Sequence, residues 1–147
     1  IIGRSEIMDL PETGNMSSTH SANPLVCAAG LAVIEELESR GLLYEAERKG
    51  EVFKKALNVL ASNHPKSISW ISGKGMIYAI CMKSENKNLS DGVFASMVSE
   101  RCMQKGLLVV HTGRETIKLG PPLTITDDAL LEGINVIGEA IQEIESN

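Results

Sequence analysis

Residues 107–125 read LLVVHTGRETIKLGPPLTI, and this stretch decides which fold the chain can adopt. An apolar run, residues 107–111, is followed by a four-residue turn, residues 112–115, and by a second short run, residues 116–119. Two such runs joined by a short turn that contains glycine are typical of an antiparallel hairpin. Gly120-Pro121-Pro122 ends the second strand, because proline cannot donate to a strand ladder.

The same arrangement occurs again before this hairpin. Apolar strands are predicted at about residues 68–70 and 76–82, with Trp70 in the core and a turn over residues 72–75 between them. The second strand is apolar on both faces, as expected for a strand in the middle of a layer. A helix follows each pair of strands, over residues 91–105 and after Thr126, whose hydroxyl can cap the last helix. The side chains predicted to point inward from these two helices are Phe94, Met97, Val98 and Cys102, and Leu130, Ile134, Ile137, Ile141 and Ile144. The order β-β-α-β-β-α predicts a small α+β unit with a mostly antiparallel sheet and helices on one face.

The first 42 residues do not fit this unit. The end of a strand is predicted at residues 1–4 and a short helical turn at residues 5–10. A helix of mostly small apolar residues, expected to be buried on nearly every side, begins after the N-cap Asn23. The amphipathic helix over residues 43–62 is the natural connector, and its predicted apolar stripe contains Leu43, Ala46, Phe53, Ala56, Leu57 and Leu60. We therefore predict residues 1–42 to be the last strand, loop and helix of another domain, and residues 43–147 to be the small α+β domain. Because a domain rarely starts in mid-strand, we expect the chain to be part of a longer protein.

Composition argues against several classes of function. The net charge of −5 and the aromatic content of 3% argue against nucleic-acid binding. No apolar run is long enough to span a bilayer, so no membrane partner is expected. Cys27, Cys81 and Cys102 lie in apolar runs and match no zinc or redox spacing, which predicts reduced, buried thiols and a cytoplasmic location. His20 and His111 lie at no recognisable metal-ligand spacing, so no metal site is predicted.

Three segments, in this order, carry a resemblance to a known family. Residues 18–29, STHSANPLVCAA, resemble the pattern T-x-x-G-N-P-L-x-C-A-A, residues 72–76, SGKGM, look like a G-x-G-L/M strand entry, and residues 117–125, IKLGPPLTI, look like I-R-x-x-P-P-L-x-I. These patterns belong to the class III pyridoxal-phosphate aminotransferases, which include the ornithine, acetylornithine and 4-aminobutyrate aminotransferases. The resemblance covers nearly the whole chain.

The resemblance implies the type I fold of the pyridoxal-phosphate-dependent transferases. In this α/β fold a large domain holds pyridoxal 5'-phosphate and a small C-terminal α+β domain closes over it. The chain would then be the tail of the large domain plus the small domain of a homodimer that moves an amino group between an amine or ω-amino acid and a 2-oxo acid. Two alternatives stay open: an aminomutase or decarboxylase on the same fold, and a non-catalytic α+β dimerisation or regulatory module.

The resemblance also implies roles for particular residues. The threonine that matches Thr19 reaches across the dimer to the cofactor phosphate of the neighbouring subunit, and Ser18 is expected to assist, although both residue types also suit turns and caps. Lys118 stands where the family commonly has an arginine that grips the substrate carboxylate, so it is either a carboxylate contact or a structural ion-pair partner. The family's Schiff-base lysine lies upstream of the strand predicted at residues 1–4, and the first lysine here is Lys49. No catalytic residue is therefore assigned within the chain, which we expect to be inactive alone.

Overall fold

The computed structural model describes residues 3–12, 14–15, 18–20 and 23–146. The chain divides into two compact units, Ile1–Arg40 and Gly41–Asn147. Within the described ranges, the first unit forms α1 (Ser5–Met8) and α2 (Pro24–Ser39). The second unit forms α3 (Leu42–Asn63), β1 (Ile68–Lys74), β2 (Ile77–Met82), α4 (Asp91–Gln104), β3 (Val110–His111), β4 (Thr116–Leu119) and α5 (Asp127–Glu145).

The short helix α1 directly follows the residues at which the end of a strand is predicted. Ile1 and Ile2 lie outside the described residues, and Arg4 is the extended N-cap residue of α1. Gly3 and Arg4 belong to no strand. For these two residues the predicted strand is therefore wrong, and the following turn of helix is confirmed.

Helix α2 begins where the sequence predicts, but it is not buried. The Oδ1 atom of Asn23 accepts a hydrogen bond from the amide of Leu25 at 2.9 Å, so the predicted N-cap is confirmed. Five large apolar side chains of α2 expose between 52% and 78% of their surface. Within the described residues, the burial predicted for this helix is therefore not observed. Cys27 is accordingly exposed, against the prediction, whereas Cys81 and Cys102 are buried as predicted.

Helix α3 presents one apolar stripe to the core of the second unit. The stripe is largely the predicted one, but it starts at Leu42, because Leu43 is 73% exposed. It also contains Lys49, which lies three residues after Ala46 and four before Phe53 and is therefore on the same face of the helix. The buried residues of α3 are Leu42, Lys49, Gly50, Phe53, Leu57 and Leu60.

The strands of the second unit form one antiparallel sheet in the order β1-β2-β4-β3. The predicted order of strands and helices and the antiparallel pairing are confirmed. Strand β1 is longer than predicted, because the turn that follows it falls at Gly75, with φ 58°, and not over residues 72–75. Strand β3 is shorter than predicted and contains only residues 110–111.

Helices α3, α4 and α5 supply the core that covers one face of the sheet. Their buried side chains pack against Tyr78, Ile80 and Ile117 of the central strands. The rings of Phe53 and Tyr78 meet edge to face, with centroids 5.0 Å apart at 71°. In α4 the buried residues include Val98, but Met97, predicted to point inward, is 40% exposed.

The opposite face of the sheet, which we call the open face, is not covered by these helices. Trp70, predicted to lie in the core, is 55% exposed on this face, because a register shift between Ile68 and Trp70 places Trp70 on the face opposite to the buried Ile68. Cys81, the register partner of Trp70, is buried. By register and alternation, the strand residues of the open face are Trp70, Ser72, Lys74, Ile77, Ala79, Cys81, Val110, Thr116 and Lys118.

Candidate functional site

Lys118 lies on the open face, within a row of residues that crosses every strand of the sheet. The register aligns Ser72 of β1, Ala79 of β2, Lys118 of β4 and Val110 of β3. Side chains in register lie about 5 Å apart, so the small side chain of Ala79 leaves one flank of Lys118 uncrowded. Gly120, two residues further along the chain, has no side chain to obstruct the exposed Lys118. Lys118 is therefore an exposed residue of this row whose neighbours Ala79 and Gly120 have small or no side chains.

The open face carries positive charge. Its strand residues include two lysines, Lys74 and Lys118, and no aspartate or glutamate. Neither lysine side chain has an ion-pair or hydrogen-bond partner in the described part of the chain. Lys118 thus has no structural ion pair among these residues, and a solvated cation of this kind attracts anionic ligands.

Sequence reasoning does not find Lys74, because it assigns residues 72–75 to a turn. The residue joins the open face only when β1 is extended to its observed end. The alternation of Ser72 and Lys74, two residues apart, is the signal that would have revealed it.

Helix α3 holds the segment that follows Lys118. The Nζ atom of Lys49 donates to the carbonyl oxygen of Leu123 at 2.9 Å. The adjacent Arg48 forms two hydrogen bonds with the carboxylate of Asp127, at 2.8 Å and 2.9 Å. These bonds lower the pKa of Asp127 below its ordinary value, and they raise the pKa of Arg48. The connection between β4 and α5 is therefore tied to α3 at two points.

Helix α3 also approaches the turn between β1 and β2 very closely. A Cβ atom on Gly50 would lie 2.7 Å from the Cα atom of Gly75, so this contact requires glycine. Tyr78 near the start of β2 pairs with Leu119 at the end of β4. The turn and the segment after β4 therefore lie at the same end of the sheet, which brings together two of the three segments that carry the family resemblance.

Ser18 and Thr19 lie in the first unit, in an exposed loop that precedes α2. The amide of Leu25 is used by the Oδ1 atom of Asn23, and the amide of Cys27 by the Asn23 carbonyl, both at 2.9 Å. A phosphate at this loop would therefore be held by the hydroxyl groups of Ser18 and Thr19 and not by these two amides. Both hydroxyl groups suit phosphate, because each can donate a hydrogen bond. The neighbouring loop residues outside the described ranges are Ser17, Ser21 and Ala22.

His20 and His111 form no further site with the described residues around them. His111 makes a local contact, with Nε2 2.7 Å from the carbonyl oxygen of Arg114, and His20 is exposed. In the described ranges no three His, Cys, Asp or Glu side chains are grouped in a way that could hold a metal ion. Among the same residues, no helix combines the length and apolar character needed to cross a membrane.

Comparison with known proteins assigns the family. The sequence model of the aminotransferase class-III family matches residues 1–141, so the chain belongs to the class-III aminotransferases. It is 30% identical to the mitochondrial acetylornithine aminotransferase of Debaryomyces hansenii over 136 residues, which are 92% of this chain and 28% of that protein. It is 33% identical to the leucine/methionine racemase of Thermococcus litoralis over 147 residues, which are 99% of this chain and 33% of that protein.

The comparison of structures agrees with this family. The crystal structure of acetylornithine aminotransferase from Elizabethkingia anophelis matches with a TM-score of 0.78 and 28% identity, over 97% of this chain and 34% of that one. The predicted family and the α/β fold class of the pyridoxal-phosphate-dependent transaminases are thus confirmed. The chain spans about a third of the length of these relatives. The assignment of the two units to a large and a small domain stays a prediction, as do the roles of Ser18, Thr19 and Lys118.

Proposed function

We propose that this chain is the C-terminal part of a pyridoxal-phosphate-dependent aminotransferase that transfers an amino group between an amine or ω-amino acid and a 2-oxo acid. The observation that supports this most directly is the environment of Lys118. Its exposed ammonium has no partner among the described residues, on a face with two lysines and no carboxylate. Amino acids and 2-oxo acids both carry a carboxylate, which such a cation can bind.

The same proposal assigns the two parts of the chain. Residues 1–42 correspond to the last strand, loop and helix of a large cofactor-binding domain, and residues 43–147 to the small domain. The complete enzyme is a cytoplasmic homodimer. Since the Schiff-base lysine is expected upstream and Lys49 is the first lysine present, the chain alone is inactive.

In this mechanism the residues of the chain bind and orient. When bound, pyridoxal phosphate supplies an electron sink that labilises a bond at the carbon bearing the amino group. The hydroxyl groups of Thr19 and Ser18 would hold its phosphate by donating hydrogen bonds, and Thr19 would do so for the cofactor site of the neighbouring subunit. Lys118 holds the substrate carboxylate as a point charge, without the bidentate geometry of an arginine. No proton transfer is assigned to a residue of this chain.

Replacement of Lys118 by methionine in the holoenzyme that contains this chain tests the proposal. We expect kcat/KM for amino acids and 2-oxo acids to fall by about tenfold or more, the effect of losing one charged contact. The half-reaction with a simple amine, followed in a single turnover, should be unchanged. Lys87→Met, in an exposed loop of the same unit, is the matched control and should alter neither rate. If both substrate classes lose activity together, or neither does, Lys118 does not bind the carboxylate.

A second candidate is a reaction without net amino transfer to a second substrate, such as that of a racemase, an aminomutase or a decarboxylase. It is favoured by the 33% identity to a protein named leucine/methionine racemase. Incubation of the holoenzyme with L-leucine or L-methionine, without a 2-oxo acid, separates the two. A racemase inverts the substrate catalytically, whereas an aminotransferase produces a 2-oxo acid only up to the amount of bound cofactor.

A further inference from the structure

We propose that Lys49 is a positioning residue for the carboxylate site at Lys118. This inference rests on the proposed function, because it requires that Lys118 bind a substrate carboxylate. Lys49 does not contact the substrate. It acts through the main chain of residues 120–123, which follow Lys118 and which its ammonium group holds in place.

The burial of Lys49 is the first argument. Its exposed fraction is 7%, and it occupies the apolar stripe of α3 between Ala46 and Phe53. Lysine is rarely buried, and an ammonium group removed from water is costly unless it is paired. In the described chain Lys49 forms no direct ion pair; the charge of Asp127 acts on it only at longer range, and its hydrogen bond goes to the carbonyl oxygen of Leu123. An apolar side chain would pack in this stripe without that cost. We therefore attribute the role of the lysine to its hydrogen bond with Leu123 and not to packing in the core.

The course of the segment is the second argument. Leu119, at the end of β4, is buried and paired with Tyr78, so the segment starts from a fixed point. Gly120 follows, and an added Cβ atom there would meet no atom within 4 Å, so no side-chain packing holds the main chain at this residue. Pro121 and Pro122 have restricted φ angles, so a hydrogen bond to the next carbonyl, that of Leu123, narrows the paths open to the segment. Loss of Lys49 removes that hydrogen bond, and we expect the segment beside Lys118 to move about Gly120.

The connection between β4 and α5 is also held independently at its other end, Asp127. Arg48, the residue before Lys49, forms the paired hydrogen bonds to Asp127 at the start of α5. Both side chains are partly exposed, at 40% and 38%. Adjacent residues of α3 therefore hold the connection between β4 and α5 at two points, Leu123 and Asp127, and the exposed pair of Arg48 and Asp127 can be altered without disturbing the core.

Lys49→Met in the holoenzyme tests the inference, with Lys54→Met, exposed on the same helix, as the matched control. We expect KM for amino acids and 2-oxo acids to rise about fivefold or more with kcat within about twofold, the pattern of lost substrate binding. The amine half-reaction and the affinity for pyridoxal phosphate should stay unchanged. In a Lys118→Met background, Lys49→Met should add no further loss, since residues acting through one site are not additive.

Two results would overturn the inference while leaving the proposed function intact. One is an equal loss for carboxylate substrates and simple amines, and the other is a full additional loss in the Lys118→Met background. If Lys118→Met itself has no selective effect, the carboxylate site is wrong and the inference fails with it, so the two failures are distinguishable. If Lys49→Met does not fold, Lys49→Gln replaces it, because the shorter, neutral side chain removes the ammonium group but keeps a polar end. A smaller, equally selective rise in KM then supports the inference, and an unchanged KM overturns it.

Discussion

Replacement of Gly50 by alanine tests the packing that organises the end of the sheet next to Lys118. The new Cβ atom would lie 2.7 Å from the Cα atom of Gly75 and 2.9 Å from its carbonyl oxygen. Both are backbone atoms, so the contact is relieved only if α3 and the turn move apart. Overpacking of this kind costs about 1–3 kcal/mol, and the higher helix propensity of alanine offsets about 1 kcal/mol. Because displacing backbone atoms costs more than moving the end of a side chain, we expect a net loss of about 1–2 kcal/mol in the free energy of unfolding.

The assay is thermal unfolding of the chain followed by circular dichroism. A domain of this size loses roughly 4–8 °C in Tm per kcal/mol, so Gly50→Ala should lower the Tm of the second unit measurably. Gly92→Ala in α4 is the matched control, because its Cβ atom would lie 3.5 Å from the nearest atom, the carbonyl carbon of Arg114, in ordinary contact. A Gly50→Ala protein as stable as Gly92→Ala would refute the close approach of α3 to the turn.

Three further outcomes are expected. Thr19→Ala in the holoenzyme should weaken pyridoxal phosphate binding by about tenfold to a hundredfold with little change in the Tm of the apo form; unchanged affinity with a large loss of stability would make Thr19 merely structural. The chain alone, mixed with pyridoxal phosphate at neutral pH, should show no stoichiometric absorption band of a lysine-bound cofactor, and mass spectrometry that maps such a band to one specific lysine would contradict this. Iodoacetamide at pH 8 should label exposed Cys27 first, because burial raises the pKa of Cys102 to about 11 and leaves little thiolate there; equal labelling of both in the native chain would contradict it.

The elements of the second unit could be predicted because their signals are local. The N-cap Thr126 accepts from the amide of Ala129 at 3.2 Å, and the apolar residues predicted for α5 from Leu130 to Ile141 are buried, since helical periodicity selects one face. Two of the predictions that failed in this unit, those for Leu43 and Met97, concern which of two adjacent apolar residues points inward. Tertiary packing decides such cases, and local pattern does not.

The candidate site was predictable only in part. Ser18, Thr19 and Lys118 were found through the family resemblance, because the residue types alone also suit caps, turns and ion pairs. The surroundings of Lys118 depend on strand register, which pairs it with Ala79 across distant parts of the sequence. The burial of Lys49 was not predicted, because a lysine on an amphipathic helix is ordinarily assigned to the solvated face. Its spacing from Phe53 nevertheless places it on the apolar stripe.

The order of the strands has a kinetic consequence for Lys118. The pairs β1–β2 and β3–β4 each close over a short turn, which takes microseconds, whereas β2 and β4, although neighbours in the sheet, are separated in sequence by α4 and β3. Contacts between distant parts of a chain form slowly, so the pairing of β2 with β4 is expected to limit the folding rate. Lys118 belongs to this pairing, in register with Ala79. During refolding, hairpin structure should therefore return before the lysine reaches the place where it could bind a carboxylate.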